Sequence, residues 1–132
     1  MYGIYSCPHC RSTLNPDERI VLQARSGDHQ FLAGLHPQPG NYEVELPAGE
    51  LMPEGSRWEF LCPACGTSLT SELSDDLCAV DVHTAGKTHR VYFSRIAGVE
   101  ATFVVSAEGM LKDYGIHTDR YLEQMVQSKY MR

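Results

Sequence analysis

Short runs of alternating apolar and polar residues, broken by Gly, Pro, Asn and Asp, predict a chain built mainly of β-strands. Residues 2–6 and 12–14 read as strands on either side of a Cys-Pro-His-Cys turn, and Asn15-Pro16-Asp17 ends the second. Residues 20–24 (IVLQA) have the β-branching of a strand, Ser26-Gly27-Asp28 turns the chain, and residues 30–33 return it. From 41 to 46 the alternation is regular: Tyr42, Val44 and Leu46 share one face, Glu43 and Glu45 the other. After loops rich in Pro and Gly, residues 57–61 (RWEFL) lead as a strand into a second cysteine turn.

Beyond a polar junction at 71–76, residues 79–83 and 90–94 predict a hairpin with a loop longer than the minimal one around Ala85-Gly86-Lys87. Residues 100–106 predict a third strand. A helix is expected from about 119 to 130, with Thr118 or Asp119 as N-cap. Its apolar stripe would comprise Tyr121, Leu122, Met125, Val126 and Tyr130. The expected fold class is α+β, mainly β with a C-terminal helix. It divides into residues 1–73, a metal-binding ribbon with a β-rich insertion at about 15–57, and 74–132, a small antiparallel unit packed on the first. No internal repeat is legible beyond the two cysteine turns.

Those turns carry the chemistry. Cys7-Pro8-His9-Cys10 and Cys62-Pro63-Ala64-Cys65-Gly66 are two copies of one pattern, 51 residues apart. Two intervening residues let both sulfurs of a pair face one point, and proline presets the backbone of the turn. Two pairs supply four thiolates, the complete tetrahedral shell of a structural zinc. Iron suits the same four-thiolate shell and is the less expected ion, and redox use of either pair as in thioredoxin is a further alternative.

The pattern resembles the zinc ribbon superfamily, with its rubredoxin-like C-P-x-C-G knuckles. The resemblance covers about 30 residues, 1–14 and 57–73. It implies that Cys7, Cys10, Cys62 and Cys65 are metal ligands on two β-hairpin knuckles. Arg11 departs from it, standing where the first knuckle would carry Gly, and the separation of the knuckles implies an inserted segment.

Of 132 residues, 11 are basic and 17 acidic, a net charge of −6. Without a basic run the chain has no obvious means of releasing counterions from a polyanion, so nucleic-acid binding is disfavoured. No apolar stretch reaches the ~18–20 residues that cross a bilayer, and the N-terminus lacks a secretory pattern, so a cytoplasmic protein with reduced thiols is expected. The fifth cysteine, Cys78, follows two aspartates and is expected as a buried hydrophobe rather than a nucleophile.

A second metal site formed by His83 and His89 with Asp81 or Cys78 is a minor alternative, and His9 is expected to be exposed. Glu43 and Glu45 fit a solvated face, Trp58 and Phe60 a core, and the 113–117 loop either a packed connector or a contact surface. No phosphate loop, nucleophile elbow or H-E-x-x-H motif is present. The sequence thus predicts a non-enzymatic zinc protein that engages a protein partner or a second copy of itself. A transcription-associated ribbon or an iron electron carrier is the alternative.

Overall fold

A computed structural model describes residues 3–122 and 125. Among the described residues nine strands run in chain order: β1 (Ile4–Ser6), β2 (Ile20–Ser26), β3 (His29–Leu35), β4 (Val44–Glu45), β5 (Glu59–Leu61), β6 (Leu77–Thr84), β7 (Lys87–Ser94), β8 (Thr102–Val105) and β9 (Leu111–Tyr114). They form two antiparallel sheets, one in the order β1-β6-β7-β8-β9 and one in the order β4-β3-β2-β5. The main core lies between them. Leu22, Ala24, Ala33 and Phe60 from the four-stranded sheet meet Tyr5, Cys78, Val80 and Val91 from the five-stranded one. The alternation along each strand sends every second side chain into this layer.

A second core covers the outer face of the five-stranded sheet, where Leu77 and Phe103 pack against Tyr121 and Met125. Residues 119–122 are helical, and the Thr118 carbonyl accepts the amides of Tyr121 and Leu122, as an N-cap residue should. Val126 and Tyr130, the rest of the expected stripe, lie outside the described residues.

Four local expectations are corrected. Residues 12–14 form no strand, only an isolated bridge between Ser6 and Thr13. The alternating segment 41–46 contributes just two paired residues at a sheet edge, and Val44 is exposed there because no strand lies beyond it. The second hairpin has a minimal turn, Ala85-Gly86, both with positive φ (51° and 76°), the backbone twist that a two-residue hairpin needs. Residues 111–114 are a strand, β9, at the edge of the five-stranded sheet.

The larger correction concerns repetition. The strand pairings of the first half recur in the second. β1 pairs with β6, aligning Tyr5 with Val82, and β5 pairs with β2, aligning Phe60 with Ala24. Moving from β2 to β6 adds 58 to each number, and the same shift carries the rest of the pattern. Leu35 opposite Val44 becomes Phe93 opposite Thr102, and Gly34 opposite Glu45 becomes Tyr92 opposite Phe103.

The loops obey the same shift. His36 N–H donates to Glu43 O and Ser94 N–H to Ala101 O; Asn41 N–H donates to Gln38 O and Val99 N–H to Ile96 O. Gly40 and Gly98 sit at matching places with φ of 93° and 85°. The chain therefore contains a tandem structural repeat whose halves exchange their leading strands. Swapping the halves maps the strand order β5-β2-β3-β4 onto β1-β6-β7-β8. The chain between the cysteine turns is the counterpart of the chain after the second turn. Side chains conceal this, because matched positions keep burial rather than identity: Leu22 with Val80, Ala24 with Val82, Leu35 with Phe93.

Candidate metal centre

Each cysteine turn grows from the end of a leading strand, and the two are built alike with a shift of 55. Cys7 N–H donates to Ser12 O and Cys62 N–H to Thr67 O, both at 3.0 Å. Arg11 N–H closes onto Cys7 O at 2.9 Å, as Gly66 N–H does onto Cys62 O at 2.8 Å. Leu14 and Leu69, both 1% exposed, anchor the returning segments in the core. The first cysteine of each turn is buried and the second exposed. The shared turn needs a left-handed residue just after the second cysteine. Gly66 meets this at φ 75°, and Arg11 adopts the same region at φ 67° despite its side chain.

The exchange of leading strands brings the two turns together. The four Sγ atoms of Cys7, Cys10, Cys62 and Cys65 lie within 4.8 Å of one another. Cys7 Sγ is 3.9 Å from Cys65 Sγ, and Cys10 Sγ is 3.7 Å from Cys62 Sγ. A tetrahedral metal with bonds of about 2.3 Å to sulfur places its ligands about 3.8 Å apart. None of the five cysteines forms a disulfide. The spacing is that of a ligand shell.

The backbone prepares the sulfurs for negative charge. The amides of His9 and Cys10 donate to Cys7 Sγ at 3.3 and 3.5 Å, and those of Ala64 and Cys65 do so to Cys62. At the exposed positions, the bond to the Ser12 hydroxyl lowers the Cys10 thiol to about 6, and Thr67 lowers Cys65 in the same way. Burial raises Cys7, and pushes Cys62 up to about 12, despite those amides. A bound cation offsets that cost by neutralising the buried thiolates. The donor set, its spacing and its hydrogen bonds all fit a four-thiolate metal site.

The remaining candidates do not join it. His83 bonds Ser6 and Thr88 through its two ring nitrogens, at 3.0 and 2.8 Å, and Asp81 pairs with Arg90. His89 lies opposite Val82 while His83 lies opposite Thr88, so the two imidazoles leave opposite faces of the sheet. Among the described residues the four cysteines are the one group arranged to hold a metal. Cys78 is fully buried in the main core, and burial raises its thiol pKa. His9 is exposed.

Glu43 and Glu45 are exposed and flank Arg19 at 3.9 and 3.5 Å. Trp58 is 4% exposed, its ring 5.1 Å from that of Phe31. The 113–117 segment is a strand end and a turn in which His117 is bonded twice to the Glu100 backbone. Arg25, Arg57 and Arg90 are each paired with a carboxylate: Glu59, Asp76 and Asp81.

The sequence reading missed the left-handed Arg11 and an apolar cavity between the two repeats. A search at fixed separation for paired turns, 27–28 with 85–86, would have pointed to the repeat that creates that cavity. No helix among the described residues is long and apolar enough to cross a membrane. Comparison of the chain with protein-family models, with curated proteins and with solved structures finds no match.

Proposed function

We propose that the protein is a non-enzymatic zinc-binding module, of zinc-ribbon-like chemistry, that serves as an accessory or interaction partner of another protein or of a second copy of itself. The observation that carries this reading is the meeting of two matched C-P-x-C turns in one four-sulfur cluster. Four thiolates fill a tetrahedral shell and leave no position for water or substrate, which favours a structural ion over a catalytic one. Zinc is the ion that four-cysteine structural sites most often hold, and iron suits the same shell. The ion would cross-link the two repeats where their leading strands exchange. Pairing of Arg25, Arg57 and Arg90 with carboxylates supports a protein partner over a polyanion.

Metal content and absorbance of the purified protein test the first part. One zinc per chain and no visible colour are expected, whereas a ferric tetrathiolate would be coloured. Cys62→Ser should lose the ion and unfold the surrounding turns, since structural zinc contributes on the order of 10 kcal/mol to small domains. A folded Cys62→Ser protein with stoichiometric metal refutes the ligand assignment. A monomeric mass by light scattering, with no protein co-purifying from the native host, refutes the interaction role.

A further inference from the structure

The repeat creates a feature that a metal-based reading does not use. Between the two sheets lies a cavity of about 490 Å³, and the two matched loops, 36–43 and 94–101, form its opposing walls. Its floor is buried and apolar: Ile20, Trp58, Phe60, Val80 and Val91. Val44 and Leu51, two large hydrophobic side chains that the fold leaves 42% and 74% exposed, stand at its edge. Pockets at the junction of two structural units, apolar with few polar groups, are the common form of small-molecule sites.

We infer that this cavity binds an uncharged, hydrocarbon-rich small molecule held between the two repeats. The volume is roughly three times the ~150 Å³ that accommodates one benzene ring, which points to a ligand of about 12–20 carbon atoms. The wall hydroxyls are turned to the protein itself. Tyr5 OH donates to Pro37 O at 2.6 Å, and Tyr42 OH bonds Thr102 Oγ1 at 2.8 Å and Tyr114 O at 3.1 Å. The Arg95 guanidinium donates to the Trp58 and Asp75 carbonyls. These bonds hold the walls in place; Glu43 and Glu100 also line the cavity and disfavour an anion, which leaves an uncharged ligand to the apolar surface. The matched loops also differ where they face each other: Gln38, Pro39 and Asn41 on one side, Ile96, Ala97 and Val99 on the other. One wall is thus more apolar than its counterpart. The inference is independent of which metal occupies the cysteine cluster.

Trp58, the chain's single tryptophan, lines the cavity and reports on its contents. The full-length protein, with its metal as purified, is titrated with 1-alkanols from hexanol to dodecanol and, in parallel, with dodecanoate, all below their aggregation limits. The expected result is a saturable, one-to-one change in Trp58 fluorescence. Affinity should rise about fourfold per added methylene, and dodecanol should bind at least as tightly as dodecanoate. Ala97→Phe, which narrows the cavity from one loop, should weaken dodecanol binding at least tenfold. Leu46→Phe should do so from the other repeat, and Leu32→Ala, on an exposed position of β3, should leave it unchanged. Absence of a saturable response to every alcohol overturns the inference, as does binding of dodecanoate alone. So does equal binding by folded Ala97→Phe and Leu46→Phe proteins, or a dimer by light scattering in which Trp58 no longer responds.

Discussion

The two cysteine turns allow an experiment in which one protein contains its own control. Arg11 and Gly66 hold the same place in matched turns, with φ of 67° and 75°. A residue with a Cβ in this region costs about 1–2 kcal/mol relative to the right-handed form. Introducing glycine returns roughly 0.5–1 kcal/mol of that as extra freedom of the unfolded chain. Arg11→Gly should therefore stabilise the metal-bound protein by about 0.5–1 kcal/mol. Gly66→Ala should destabilise it by about 1 kcal/mol. A Cβ placed on Gly66 meets no atom within 4 Å, so backbone strain alone sets that cost. Arg11 is exposed and forms no ion pair among the described residues, so its removal forfeits little packing. Urea unfolding at one fixed excess of zinc measures both, since free metal otherwise shifts the midpoint by mass action. Competition against a chelator should show the same order in metal retention, with about five-fold between the parent and each variant at the upper end. Equal signs for the two substitutions, or a loss of stability in Arg11→Gly, would refute the equivalence of the turns.

Phe103, fully buried in the second core, should cost about 3–5 kcal/mol when replaced by alanine, read by urea unfolding; a loss below 1 kcal/mol would mean that the helical residues from 119 do not cover this sheet. Burial pushes the Tyr5 phenol from 10.0 up to about 12, so its contribution to stability is complete below pH 10 and disappears as pH rises through 12. Tyr5→Phe should cost about 0.5–1.5 kcal/mol at neutral pH through loss of the bond to Pro37 O. It should also flatten the fall in melting temperature between pH 10 and 12; an unchanged alkaline slope would place the titrating group elsewhere.

Much of the site was readable from the chain alone because its determinants are local. A C-P-x-C turn is specified by four residues whose backbone closes on itself. Both copies form as their proline and spacing require, and Gly66 takes up the left-handed place in its turn. Arg11 shows the limit of such reading: the turn's geometry, set by Cys7, Ser12 and Leu14, overrides the preference of the residue placed in it. The segment 41–46 fails for a related reason. Alternation there is as good as in β2, yet Val44 faces solvent because no neighbouring strand completes the layer.

The sequence by itself determined the four candidate ligands, the mainly β character, and the presence of turns near 26–28 and 85–87, though not the two-residue length of the second. Only the tertiary structure decided that β1 pairs with β6 and β5 with β2, because such pairings join residues tens of positions apart and leave no local trace. From that exchange follow the meeting of two distant cysteine pairs and the cavity between matched loops. The repeat also surfaced only there. A sheet constrains hydrogen bonding at each position more than side-chain identity, so residues as unlike as Phe31 and His89 can occupy matching places.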